Sequence, residues 1–231
     1  IDLAESAGSA DAQTLIQNVL VDTGTENGTY TITVTADDAN NVPASVETTL
    51  RSTSSAEFLT TGADTFTGTA QNDVIAGDLD GNANTLTDGD NLDGAGGTGD
   101  LLQATLNVLT GAAPTVTDVE VINLTTTGSA SELDASNITG VDGVTIRADG
   151  TKNLTVNNLQ GDVTGVDAGN LTGQLDVDFA EAGEVTVTTT DGQDDTVDFG
   201  STLSDGDSVT DADVGSDGGD TDEVKAKLQS G

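Results

Sequence analysis

Asp64-Thr65-Phe66-Thr67-Gly68 is followed nine residues later by Asp73-Val74-Ile75-Ala76-Gly77, and reading this pair decides the fold. The same four-residue phrase, an aspartate, any residue, an apolar residue and any residue, returns as Asp90-Asn91-Leu92-Asp93 and Asp100-Leu101-Leu102-Gln103. It returns again as Asp195-Thr196-Val197-Asp198, Asp207-Ser208-Val209-Thr210 and Asp222-Glu223-Val224-Lys225. An apolar residue flanked by polar neighbours is the period-2 signature of a short strand with one buried face. Glycines between the phrases let the chain turn tightly, so that carbonyl oxygens converge near the aspartate. Phe66 and Ile75 are therefore expected to point inward to a small core.

Between the two clusters runs a ladder of apolar beats: Leu106/Val108, Val119/Val121, Leu124, Leu133, Val144/Ile146, Leu154/Val156, Val163/Val166, Leu175/Val177 and Val185/Val187. Their spacing is near ten or eleven residues, with Gly, Asn, Asp or Thr between them. That spacing predicts an all-β chain, a parallel β-helix or β-roll-like ladder, with stacked β-sandwich modules as the alternative. The ladder lacks tight two-residue hairpin signals, which favours the helix. Asn and Thr at its turns are expected to stack on their equivalents in adjacent rungs.

The clusters repeat one another. Asp73 and Asp100 recur as Asp195 and Asp222 at one offset of 122 residues, and Thr85-Leu86-Thr87-Asp88-Gly89-Asp90 matches Thr202-Leu203-Ser204-Asp205-Gly206-Asp207 at 117. Asp78-Leu79-Asp80-Gly81-Asn82 interrupts the phase and reads as an inserted loop. It resembles an EF-hand opening only in part, because its glycine comes too early and Gly89 stands where the bidentate Glu belongs.

Residues 1–57 differ in character. Leu15, Ile16, Val19 and Leu20 fit one side of a short helix, with Asp11 as N-cap and Gly24 as stop. Thr29 to Ala36 alternates strictly and reads as a strand, returning over Val46 to Leu50. The expected organisation is a helix-and-hairpin segment over 1–57, a first acidic cluster over 58–106, a β-ladder over 107–190 and a second acidic cluster over 191–231.

Composition narrows the chemistry. The 231 residues include 41 acidic side chains and 5 basic ones, a formal net charge of −36. A compact chain so charged repels itself unless cations neutralise it. Polyanionic partners, nucleic acid or an anionic membrane surface, are disfavoured, and no run approaches the ~20 apolar residues that span a bilayer. Cys, His, Met and Trp are absent, so the usual ligands of zinc, haem and iron–sulfur centres are missing and oxygen-ligated hard cations are left. Most hydrolase and transferase layouts lose their base as well, and no enzyme is expected. The start at Ile1 carries no basic or apolar leader pattern and is expected to be a processed or cut end.

An aspartate followed by x-U-x after Gly-rich turns is the second half of the calcium-binding nonapeptide G-G-x-G-x-D-x-U-x. Candidate Ca2+ ligands are Asp64, Asp73, Asp90, Asp100, Asp195, Asp207 and Asp222, with Asp88, Asp93, Asp205 and Asp220 as second carboxylates, since calcium takes six to eight oxygens.

Residues Leu59 to Asp73 and Asp90 to Leu102 resemble the repeat-in-toxin segments of bacterial surface-layer proteins. Val119-Glu120-Val121-Ile122-Asn123-Leu124 and Leu133-Asp134-Ala135-Ser136 resemble their β-ladder. The resemblance implies type I secretion, folding outside the cell on calcium, and self-assembly of the chain into a lattice. The alternatives are a calcium-stiffened filament or adhesin repeat, and a halophile surface domain whose acidity serves salt tolerance. Cell-surface polysaccharide is the other candidate partner. The chain departs from the pattern at Asp100, which has one residue too many after its glycines, and at Asp217 and Asp220, which stand where glycines are preferred. Few nonapeptides are consecutive, so a long regular β-roll is not expected.

Overall fold

The computed structural model describes residues 28–37, 43–52, 56–107, 111–140, 143–181, 183–190, 192–210 and 221–227. The chain divides into two compact units, Ile1–Ser52 and Thr53–Gly231. In the first, β1 (Gly28–Asp37) and β2 (Pro43–Ser52) form an antiparallel hairpin. Its register sets Tyr30 opposite Leu50 and Val34 opposite Val46, as the alternation over 29–36 predicts. The helix expected over 11–20 lies outside the described residues.

The second unit is a parallel β-solenoid. One long sheet contains β3 (Ala56–Phe58), β5 (Val74–Gly77), β7 (Leu101–Leu106), β9 (Val121–Thr126), β12 (Val144–Gly150), β14 (Val163–Leu171), β16 (Thr186–Thr188) and β18 (Ser208–Thr210). Eight strands stacked in chain order correspond to about seven turns of the coil. The opposite side is made by two sheets in succession. The first contains β4 (Thr65–Thr67), β6 (Asn91–Asp93), β8 (Thr115–Thr117) and β11 (Ile138–Thr139). The second contains β10 (Ser131–Asp134), β13 (Leu154–Leu159), β15 (Leu175–Phe179), β17 (Thr196–Asp198) and β19 (Glu223–Lys225). The coil from β9 to β11 carries a strand in all three sheets, so the change of partner sheet happens there.

From Leu133 onward each beat of the sequence is half a coil and alternate beats lie on opposite sides, whereas Leu106, Val121 and Leu124 all belong to the long sheet. The inward residues form continuous columns because parallel pairing keeps equivalent positions in register. Ile75, Leu102, Ile122, Ile146, Val166, Val187 and Val209 stack in the long sheet. Phe66, Leu92, Val116 and Ile138 face them from one partner sheet, and Leu133, Val156, Val177, Val197 and Val224 from the other. All but Val209 and Val224 are buried; each buried one contributes on the order of 1.5–3 kcal/mol through removal of apolar surface from water. Phe179 and Phe199 add a stacked pair with ring centroids 4.8 Å apart.

A nonapeptide pair would make a regular coil. Here the distance from one rung to the next runs from 18 residues, between β3 and β5, to 27, between β5 and β7, because the turns vary. The 27-residue excursion from β5 to β7 includes the insertion from Asp78, where Asp80 and Ala83 close a small bridge around Gly81 and Leu86 tucks into the core. No helix long and apolar enough to cross a membrane occurs among the described residues.

Candidate cation site at a glycine-rich turn

Every phrase aspartate stands immediately before a strand, and for five of them the chain below supplies a partner. Asp90 accepts the Asp64 amide at 2.9 Å, Asp195 the Leu175 amide at 2.7 Å, and Asp207 the Val185 amide at 3.0 Å. Asp100 accepts the Asp73 amide at 2.5 Å, and Asp222 the Asp195 amide at 3.1 Å. A strand's leading N–H would otherwise lie unpaired at the corner of the coil, so one carboxylate oxygen continues the sheet's hydrogen bonding around it.

The second oxygen closes the turn leading into the strand. Thr87 donates its amide to Asp90 Oδ2 at 2.7 Å, and its hydroxyl to Oδ1 at 3.1 Å. Thr190 donates both amide and hydroxyl to Asp195 Oδ2, at 2.6 and 2.8 Å. Ser204 does the same for Asp207 at 2.7 and 3.2 Å. Thr69 serves Asp73, with its amide at 2.5 Å and hydroxyl at 3.3 Å, and Thr60 serves Asp64 at 2.7 and 3.1 Å. These hydroxyl residues were not among the expected site residues. Their signal is a Ser or Thr three to five positions before the aspartate, readable in five of the seven phrases.

Asp100 breaks the pattern. Gly96 and Gly97 occupy the positions where a hydroxyl would stand, and Asp100 Oδ2 is buried with no hydrogen-bond partner. A Cβ placed on Gly97 would lie 3.1 Å from Asp100 Oδ2, 3.1 Å from the Gln71 carbonyl oxygen and 3.2 Å from Asn72 Oδ1. A Cβ on Gly94 would lie 2.8 Å from Asp100 Oδ2 and collide with the Asp118 carbonyl. Close approach requires glycine at 94, while a Cβ at 97 would sit tightly among its neighbours, and the space the two glycines leave is lined by acceptor oxygens. Glu120 begins the next rung in the aspartate's role, accepting the Asp100 amide at 2.7 Å through Oε2. Glu120-Val121-Ile122 is the phrase with Glu in place of Asp.

Burial, together with the charges of Glu120, Asp73 and Asp118, pushes the Asp100 carboxyl up to about 6, against the lowering effect of the Asp73 amide. Burial also raises Asp90 and Asp195, opposed by the amides they accept. A carboxylate buried without a partner is costly until a proton or a cation neutralises it.

The remaining candidates are dispersed. Asp88 is exposed and accepts the Ala113 amide at 3.0 Å; Asp93 accepts the Ala95 amide at 2.8 Å. Asp205 and Asp222 are exposed, and Asp220 lies outside the described residues. Among the described residues no three acidic side chains converge at metal-ligand spacing. A calcium ion at the Asp100 turn would therefore draw on one carboxylate and on neutral oxygens, Gln71 O and Asn72 Oδ1 first. That donor set suits a hard cation, and the orphaned oxygen beside a cradle that a Cβ would fill meets the requirement of such a group.

No protein-family model matches the chain, and no curated protein matches it.

Proposed function

We propose that this chain is a calcium-dependent structural protein of the bacterial cell surface that folds outside the cell and assembles with further copies of itself. The observation that carries the reading is Asp100 Oδ2, buried without a partner beside the oxygen-lined space at Gly94 and Gly97. The net charge of −36 supports it, since cations must offset the self-repulsion of a compact solenoid with that charge. When bound, calcium would neutralise the buried carboxylate and tie the Asp73 and Asp100 rungs together. Coupling of ion binding to folding then lets low calcium leave the chain unfolded, while millimolar calcium, the range in which extracellular modules bind, orders it.

Circular dichroism at low ionic strength tests this. The β-signal should fall on chelation and return with calcium but not with sodium at equal ionic strength. An unchanged β-signal after complete calcium removal would sink the proposal. The separate hairpin unit favours a second reading, a module strung in a filament or adhesin. Electron microscopy of the calcium-loaded chain distinguishes them: two-dimensional patches support a surface layer, and filaments support the second reading.

A further inference from the structure

We infer that a hydroxyl bracket and a bound calcium ion are interchangeable ways of closing the same turn, and that Asp100 is the phrase aspartate that requires the ion. The inference rests on the calcium reading above and sharpens it, because it predicts one tight ion where seven phrases would otherwise suggest several.

The five bracketed aspartates each receive an amide and a hydroxyl from one preceding Ser or Thr. Those donors satisfy the carboxylate within the chain, and a carboxylate that accepts several hydrogen bonds holds its charge without a metal. The Asp100 turn has lost this donor through glycine, and what surrounds the missing hydroxyl is three acceptor oxygens. Acceptors crowded around a charged oxygen repel it, so this turn closes only when a positive charge stands between them. Asp222 lacks a bracket of the same kind, but it is exposed, with the Thr189 hydroxyl 3.5 Å from Oδ2, so water can satisfy it. Burial of an unpartnered oxygen sets Asp100 apart from the other six. Gly97 has no left-handed backbone angle, so a serine there is conformationally allowed, and its hydroxyl would enter the space assigned to the ion.

The test is calorimetric titration of the full chain with calcium alone, after stripping with chelator, reading the number of tightly bound ions. Gly97→Ser and Asp100→Asn should each bind one ion fewer than the parent, whereas Asp90→Asn and Asp195→Asn should bind the parental number. Gly97→Ser should also keep more of its β-signal in chelator than the parent. Loss of one ion in Asp90→Asn or Asp195→Asn would overturn the interchange and leave the calcium reading standing. An unchanged number in both Gly97→Ser and Asp100→Asn would overturn the assignment to Asp100. Absence of tight binding by the parent would instead remove the calcium reading itself. Should either aspartate variant fail to fold, Thr87→Ala and Thr190→Ala replace it: an unchanged or higher number supports the inference, and a lower one refutes it.

Discussion

The turns before Asp100 and Asp195 do the same mechanical task with different chemistry. Each carries one carboxylate oxygen to the leading amide of the rung below, at 2.5 Å to Asp73 and 2.7 Å to Leu175. Thr190 then closes the Asp195 turn from within, while Gly96 and Gly97 leave the Asp100 turn with an unpartnered oxygen. Gly96 and Gly97 carry no side-chain donor, so the Asp100 turn is the one left with an unsatisfied carboxylate oxygen. A second contrast lies in the matched hexapeptides: Leu86 is 1% exposed and Leu203 is 53% exposed. Equivalent sequence does not guarantee equivalent burial, because cover comes from neighbouring coils.

The largest effect should come from that second contrast. Leu86→Ala is expected to cost roughly 2–5 kcal/mol, as for a large core side chain cut to alanine, and Leu203→Ala less than about 0.5 kcal/mol. Urea unfolding in calcium measures both; equal costs would mean that Leu203 is covered as Leu86 is. A smaller effect is expected at the brackets. Thr190→Ala removes a buried hydroxyl from a charged acceptor and should cost about 1.5–3 kcal/mol. Thr98→Ala, close to Asp100 but exposed and bonded only through its amide to Asn72, should stay within about 0.5 kcal/mol. A large loss at Thr98 would show that the Asp100 turn has a hydroxyl closure after all.

The smallest effect is in pH dependence. Burial raises Asp195, with Asp222 adding to it, so the folded state takes up its proton at a higher pH than the unfolded state does. The contribution of this group to stability therefore grows as pH falls through the raised value and is complete below the ordinary carboxyl range, about 4; it is lost as pH rises. In chelator, unfolding midpoints should increase as pH falls toward the ordinary carboxyl range, and less steeply in Asp195→Asn. An identical slope in the variant would show that Asp195 does not titrate in this window.

Much of the architecture was legible because parallel coils impose a strict local rule. Phe66, Ile75, Leu92, Leu102 and Val197 had to face inward wherever their strands lay, and they do. The spacing of the beats announced strands, but not that alternate beats occupy opposite sides. The offset of 122 residues shows why. It carries Asp73 and Asp100, which lead strands of the long sheet, onto Asp195 and Asp222, which lead strands of its partner. The 117-residue offset likewise moves Asp90 from a partner sheet to Asp207 in the long sheet. A turn-and-strand unit has the same local geometry on either side, so its sequence has no reason to record which side it takes.

The candidate site divides in the same way. Residue order alone determined the aspartates, the glycines and the inward apolar positions, since strand alternation and tight turns are set by near neighbours. Only the tertiary structure decided which carboxylates are satisfied. Asp100 Oδ2 lines the space at Gly94 and Gly97 together with oxygens of Gln71, Asn72 and Asp118 from neighbouring coils, and burial and hydrogen bonding at that range depend on how the turns stack.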